Sequence, residues 1–403
     1  MSLDTGDTSF MLVATALVMI MTPGLAFFYG GLVSRKNVLA IMMQSYVSMG
    51  VSTILWVAVG YSLCFSGDVG GMGIIGNLDM AFLRGIEVTD LGGLNDTIPL
   101  LLFVVYQMMF AIITPALITG AFANRITFKA YLIFLVAWQI LVYYPFVHMI
   151  WGGGMLADWG VLDFAGGIVV HALAGMAALA SVIYVGKRRV EDAGAHNVPF
   201  VAIGAALLWF GWFGFNAGSE LAVDGVTAVA FINTQIAAAF AAITWLLLAW
   251  YYDGKPSFVE MLIGMIAGLA TITPAAGFVS PQSAMLIGVA AGAACYFAVV
   301  FRKKKGLDDA LDVWGVHGVG GALGIIMLGV LASESIGGQN GLYHGNQDFF
   351  MVQLAGLALA CVWAFAFTYG MLMMIDKVTP VRVSEEAEAA LDVTLHGESA
   401  YTD

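Results

Sequence analysis

Eleven long apolar runs, separated by short polar loops, dominate this sequence of 403 residues. A helix rises about 1.5 Å per residue, so about 20 residues cross a hydrocarbon core about 30 Å thick. The strands of a membrane barrel would instead alternate apolar and polar residues. The pattern therefore predicts an all-α integral membrane protein with eleven transmembrane helices. They are predicted at about 9–33, 38–65, 98–123, 127–150, 163–186, 198–217, 226–251, 257–278, 282–301, 313–333 and 349–375.

The positive charges are distributed unequally between the loops. Only 10% of the residues are charged, against about 25% in soluble domains. Of the 15 Lys and Arg residues, 14 lie in alternate loops or the C-terminal segment, and Arg84 alone lies in the other loops. The positive-inside rule assigns the basic loops to the cytoplasm. The N-terminus is then outside and the C-terminus inside, which requires an odd number of spans. The sequence has no basic, aromatic-interleaved patch, so we expect no nucleic-acid partner.

One motif occurs twice, near the ends of two halves of five spans each. His171 follows Asp163 by eight residues, and His317 follows Asp309 by the same spacing. An odd number of spans per half reverses the second half, so residues about 9–186 and 198–333 form an inverted 5+5 repeat. The run at 349–375 is then a peripheral eleventh helix. By the rise of a helix, His171 lies about 12 Å from the outer face and His317 about 12 Å from the inner face, so both are expected near the midplane. We predict that the two histidines meet in a pore.

A histidine inside a membrane needs a partner or a cavity. Two neutral imidazoles side by side each offer one donor and one acceptor, so they can share a proton without adding a fixed charge. A plainer alternative is that a neighbouring backbone group satisfies each histidine separately. Bis-histidine haem ligation is another, but no further haem signature accompanies it. We expect no cofactor and no metal. The three cysteines lack C-x-x-C spacing and are expected to be apolar filler.

Aromatic and polar side chains share one face on two of the spans. On the third span they are Gln107, Phe110 and Thr114, and on the sixth they are Trp212, Phe215, Asn216 and Ser219. Trp151 ends the fourth span. This spacing fits core packing and an aromatic belt. It also fits a cation–π cage with a hydroxyl at the outer mouth.

Acidic residues stand at the starts of the two histidine spans. Asp163 fits an N-cap of the fifth span, and a capping carboxylate there would also stabilise a nearby cation. Asp309 and Asp312 are expected to cap the tenth span in the same way. The acidic loop at 66–97 fits a solvated cap or a cation-attracting vestibule. The Pro23-Gly24 pair is expected to break the first span.

Four segments resemble the ammonium transporter family, in its Amt branch. They are Pro23-Gly-Leu-Ala-Phe-Phe-Tyr-Gly-Gly31, Asp163-Phe-Ala-Gly-Gly-Ile-Val-Val-His171, Gly211-Trp-Phe-Gly-Phe-Asn-Ala-Gly-Ser219 and Val316-His-Gly-Val-Gly320. The resemblance covers nearly the whole chain. The segment Leu395-His-Gly-Glu-Ser-Ala-Tyr401 is similar to Amt tails and unlike tails of the Rh branch. The resemblance implies a transporter of the plasma or inner membrane, and not an enzyme. It also implies a homotrimer with one pore per subunit.

The resemblance assigns roles to single residues. Phe110, Trp151 and Ser219 match the outer ammonium-recruitment site, and Asp163 matches the acid needed nearby. Phe110 and Phe215 match a phenyl gate beneath that site. His171 and His317 match the twin-histidine pair. A trimeric PII-type signalling protein is implied as a regulatory partner at the cytoplasmic loops and tail.

These inferences predict a mechanism and leave two alternatives. Ammonium is recruited outside and deprotonated near the gate, and ammonia crosses an apolar lumen while the histidines relay the proton. An ammonium sensor that acts through a partner with little flux is one alternative, disfavoured by the short tail. A neutral-gas channel of the Rh type is the other, disfavoured by the Trp151 and Ser219 pair. We expect residues 1–377 to form one membrane domain. Residues 378–403 are expected to form a cytoplasmic regulatory tail, with a capped helix at 384–391.

Overall fold

The computed structural model describes residues 2–190 and 194–401, and it contains helices and isolated β-bridges but no strand in those ranges. Ten helices are long and apolar enough to cross a membrane, and an eleventh apolar helix is shorter. In chain order they are α1 Thr5–Leu32, α2 Val38–Phe65, α3 Leu100–Ile118, α4 Phe128–Asp158, α5 Gly167–Val185, α6 Val198–Glu220, α7 Gly225–Asp253, α8 Phe258–Ile272, α9 Pro281–Lys304, α10 Trp314–Leu331 and α11 Gln347–Asp376.

The predicted all-α membrane class is confirmed, and each predicted span has its helix. That α8 completes an eleventh crossing, and that the N-terminus lies outside, stay predictions. We call the side of the 66–97 loop the outer side and the side of the basic loops the inner side. Residues 1 and 191–193 of the predicted membrane domain and residues 402 and 403 of the predicted tail lie outside the described residues.

Wide π-turns interrupt several of the regular helices, and one lies in the tail. Such turns are rare and cluster at functional sites. Two of them carry the histidines: Gly167–Ala172 contains His171, and Trp314–Gly318 contains His317. The other π-turns are Trp56–Gly60, Gln139–Tyr143 and Asp392–His396. Shorter helices lie at Ala81–Leu83, Met155–Asp158, Gly218–Glu220, Glu334–Gly337, Leu342–His344 and Glu385–Glu388.

The expected break of the first span does not occur, because α1 continues through Pro23. The helix packs closely against α6 at this point. A Cβ on Gly24 would lie 2.9 Å from the Leu207 Cβ and 3.3 Å from the Gly204 carbonyl oxygen. Small residues of this kind let membrane helices approach closely.

Helices at equivalent positions in the two predicted halves pack against each other. α1 lies on α6, and α5 crosses α10. At that crossing Gly175 faces the backbone of Gly318, and Gly321 faces the Cβ of His171. An in-plane two-fold axis would place the same pairs side by side. α11 packs on α4, α5 and α10 with its far side exposed, as a peripheral helix does.

The tail folds back along the inner side. Thr127 N donates to Val381 O at 2.9 Å, and the Asp392 carboxylate accepts from Leu39 N and Ala40 N at 3.0 and 2.9 Å. Ser384 caps the predicted tail helix, whose regular part is only Glu385–Glu388. The tail is therefore an ordered segment that is bonded to the inner ends of the helices.

Candidate functional site

A cavity of about 440 Å³ lies at the outer side, between α3, α4, α6 and the segment that precedes α5. All four residues predicted for the outer site, Phe110, Trp151, Asp163 and Ser219, line it. Two aromatic faces and a hydroxyl are what a cation–π cage needs. The structure thus brings these side chains together around a space large enough for a partly hydrated cation.

Asp163 builds this cavity through its hydrogen bonds. Its carboxylate accepts from the backbone N–H groups of four successive residues, at 2.9, 2.6, 2.8 and 3.1 Å; they are Gly166, Gly167, Ile168 and Val169. These are the N–H groups that a helix start leaves unsatisfied. Burial raises the pKa of the Asp163 carboxyl, and the four donors act in the opposite direction. The Asp163 carbonyl also accepts from Trp151 Nε1 at 2.8 Å, so the predicted N-cap also orients the indole.

Ser219 is held by a residue that sequence reasoning missed. The Tyr106 hydroxyl lies 3.2 Å from Ser219 Oγ and 2.9 Å from the Gly214 carbonyl oxygen. Ser219 Oγ also lies 2.9 Å from the Phe215 carbonyl oxygen, to which it donates. Tyr106 precedes Phe110 by one helical turn, and that periodicity was the available signal.

Two phenyl rings close the floor of the cavity. The ring centroids of Phe110 and Phe215 are 4.5 Å apart, and each residue is only 1% exposed. Phe110 also contacts Trp151 edge to face, with centroids 6.0 Å apart. A molecule leaving the cavity inward at this point must displace at least one ring, because the two are in van der Waals contact.

The two predicted histidines meet directly below the rings. The Nδ1 atoms of His171 and His317 are 3.2 Å apart, and the rings are tilted by only 16°. The His171 ring lies 6.0 Å from Phe215. Both imidazoles line a second cavity of about 20 Å³, room for about one water-sized molecule. Apart from the histidines, none of its lining residues in the described ranges is acidic or basic.

Trp212 packs against His171; the sequence places it on the same face as Phe215 and Ser219 but assigns it no role of its own. Its ring stacks on His171 with centroids 5.5 Å apart, and its Nε1 donates to Thr273 Oγ1 at 2.9 Å. Trp212 lies three residues before Phe215, so helical spacing again carried the signal. His171 Nε2 has no protein partner among the described residues, which leaves one polar atom for a molecule in the lumen.

The inner copy of the motif is built differently. Asp309 caps α10 as expected, through one 2.7 Å bond from Trp314 N. The expectation for Asp312 is wrong, because its carboxylate forms an ion pair with Arg302. Burial, followed by the neighbouring Asp312 charge, raises the pKa of Asp309 to about 6.

Residues 9–401 match the Ammonium Transporter Family. The chain belongs to that family. It is 46% identical to the ammonium transporter of Bacillus subtilis strain 168 over 403 residues, covering 99% of each chain. It is 43% identical over 401 residues to the ammonium transporter Amt1 of Archaeoglobus fulgidus, covering 98% of this chain and 99% of that one. This family member is a multi-pass protein of the plasma membrane, and its relatives are transporters and not enzymes.

Solved structures of family members have the same fold. The crystal structure of Saccharomyces cerevisiae Mep2 matches with a TM-score of 0.89 at 33% identity, covering 95% of this chain and 88% of that one. A structure named "Sensor Amt Protein" matches with a TM-score of 0.88 at 28% identity, covering 97% of this chain and 98% of that one.

Proposed function

We propose that this family member transports ammonium by binding the cation outside, removing one proton near the phenyl rings and conducting ammonia inward. The observation that carries the proposal is the pair of histidines, with Nδ1 atoms 3.2 Å apart, lining a small cavity directly below a closed aromatic gate. Phe110, Trp151, Asp163 and Ser219 are the proposed binding residues. Phe110 and Phe215 are the proposed gate.

The outer cavity lowers the cost of partial dehydration. A bare charge in a hydrocarbon core costs several kcal/mol or more. Each cation–π contact offsets roughly 0.5–2 kcal/mol of this, and Phe110 and Trp151 provide two ring faces. The Ser219 hydroxyl supplies an oxygen that can accept an N–H bond from ammonium. Asp163 acts through its field and through the position of Trp151, because its oxygens already accept four backbone bonds.

The lumen below favours a neutral molecule, since the two histidines are its only titratable lining groups besides Tyr29 among the described residues. Each ammonium that enters then yields one ammonia, which crosses the lumen, and one proton, which passes along the imidazole pair. One Nδ1 donates to the other, so each imidazole can accept a proton on one side and release one on the other. Potassium has no proton to lose and is excluded at the gate.

Ammonium-evoked current on a supported membrane tests the relay. His171→Ala and His317→Ala are each expected to lower the current at least tenfold or to admit potassium. His344→Ala, in an exposed helix of the outer side, is the matched control and should behave as the wild type. Unchanged current and unchanged potassium exclusion in both pore variants would refute the relay. Ammonia flux without any current would instead indicate a neutral-gas channel of the Rh type.

A sensor with little flux is a second candidate, because the fold also matches the structure named "Sensor Amt Protein". Uptake into proteoliposomes distinguishes the two: a sensor binds ammonium without measurable flux.

We also infer the assembly and regulation from the family resemblance. The proposal is a homotrimer with one pore per subunit, a membrane domain at 1–377 and a regulatory tail at 378–403. A PII-type signalling protein would bind the inner loops and the tail. The ordered tail, anchored to α2 through Asp392, supports a regulatory surface there. Light scattering of the purified protein tests the trimer, and co-elution with a PII-type protein tests the partner.

A further inference from the structure

One carboxylate at the outer cavity has no protein partner. Glu220 ends the short helix Gly218–Glu220, directly after Ser219. It is half-buried and lines the same cavity as Trp151 and Phe110. Neither a hydrogen bond nor an ion pair joins its side chain to any of the described residues 2–190 and 194–401.

Four other acids of the outer side are engaged by hydrogen bonds in the structure. Asp163 accepts four backbone bonds, and Asp224 caps α7 through bonds of 2.9 and 3.0 Å from Val226 N and Thr227 N. Asp7 accepts from Val223 N at 2.8 Å. Glu334 accepts from Asn340 Nδ2 at 2.9 Å. Glu220 differs from these because no structural role occupies its charge.

A half-buried carboxylate without a partner is unfavourable as an anion, so it either takes up a proton or attracts a cation. No Lys or Arg is among the described residues that line the cavity, so the compensating positive charge comes from solution, as a proton or as a monovalent cation. Low-dielectric walls concentrate the field of such a charge and raise the local concentration of cations.

We propose that Glu220 collects monovalent cations in the outer cavity and delivers ammonium to the aromatic cage beside it. The inference rests on the proposed function. Glu220 acts through its field, so it attracts potassium as well as ammonium and leaves selection to the cage and the gate. Removing its charge therefore changes the ammonium concentration needed for half-maximal current, and not the maximal current.

The test compares wild type, Glu220→Gln and Glu220→Lys in proteoliposomes at low ionic strength and at a mildly alkaline pH, where the Glu220 carboxyl is ionised. Glu220→Gln is expected to raise the half-saturating ammonium concentration roughly 3- to 10-fold, and Glu220→Lys further, at retained maximal current. In about 0.15 M of a large impermeant salt, where the Debye length is about 8 Å, the difference should shrink to about 2-fold or less. Glu87→Gln, which removes an exposed acid of the outer loop away from the cavity, is the matched control and should show no shift.

A second readout does not depend on transport. Ammonium chloride is titrated against the tryptophan fluorescence of the purified protein, since Trp151 lines the cavity. Weaker binding in Glu220→Gln, with unchanged size-exclusion elution, supports the inference even if the protein acts as a sensor. Equal half-saturation and equal binding in the two proteins at low ionic strength overturn it, as does a lower maximal current without a shift. Absence of both flux and current in wild type refutes only the proposed transport.

Discussion

The two Asp–His motifs have equal spacing in sequence and unequal surroundings in the fold. In the outer copy, the Asp163 carboxylate accepts four backbone bonds. In the inner copy, the Asp309 carboxylate accepts one from Trp314 N, and its Oδ1 is buried without a hydrogen-bond partner. Each copy nevertheless carries its histidine on a π-turn, and the two histidines meet.

The difference lies in what each aspartate has beside it. Gly166 adopts a left-handed conformation with φ of 117°, which turns four successive N–H groups toward Asp163. Asp309 has instead the Asp312 carboxylate as a close like charge, itself paired with Arg302. The outer aspartate is thus a structural acceptor, whereas the inner one is a partly uncompensated buried charge. The comparison shows that a repeated motif can keep the position of its histidine while its acid changes role.

The largest expected effect is that of Asp163→Asn. The substitution replaces one carboxylate oxygen by an NH2 group. Its N–H donors would then face the backbone N–H groups that now donate to that oxygen. Two or more buried groups lose their acceptor at roughly 1–3 kcal/mol each, so the free energy of unfolding should fall by about 3–5 kcal/mol. Detergent-micelle denaturation measures this. Asp158→Asn, an exposed acid of the same side, is the control and should change little. If Asp163→Asn lowers the free energy of unfolding no more than Asp309→Asn does, the two aspartates do not differ in the way described here.

The second prediction concerns the helix crossing between the histidines. A Cβ on Gly175 would overlap the backbone of Gly318, so Gly175→Ala should cost about 2–3 kcal/mol and separate the imidazoles. In the reverse direction, a Cβ on Gly318 would lie 3.1 Å from Trp314 Cδ1 and 3.2 Å from Gly175 Cα. Gly318→Ala should therefore be milder. Stability and ammonium current are measured for both, with Gly50→Ala, which meets nothing within 4 Å, as control. Equal effects of the two substitutions would argue against this asymmetric contact.

The smallest expected effect is a pH dependence that belongs to the inner copy. The pKa of Asp309 is raised to about 6 in the folded protein, so between its unfolded and folded values the folded state binds more protons. Stability from this group therefore increases as pH falls, by about 1 kcal/mol between pH 7 and pH 5. Subtracting the pH profile of Asp309→Asn from that of wild type gives this contribution together with its coupling to Asp312, since groups farther away titrate equally in both. A difference profile that is flat, or that rises with pH, would contradict the raised pKa.

Several features could be predicted from sequence because they depend on chemistry that repeats locally. Apolar runs defined the spans, and helical spacing placed Phe110 and the Phe215–Ser219 pair on single faces. Tyr106 was missed, and Trp212 was placed on the Phe215 face without its contact to His171, because the partners Ser219 and His171 are 113 and 41 positions away in the chain. It also missed the ion pair of Asp312, because capping and pairing need the same carboxylate and only the approach of Arg302 decides between them.

The sequence by itself determined the membrane class, and it predicted from the repeated Asp–His spacing that the two histidines meet, since these follow from hydrophobicity, spacing and the rise of a helix. Only the tertiary structure decided which polar atoms are satisfied. It engaged the Asp163 carboxylate in four backbone bonds, left Asp309 short of partners, and left Glu220 open to the outer cavity. Hydrogen bonds and charges act over a few ångströms, so their outcome depends on which distant segments the folded chain brings together.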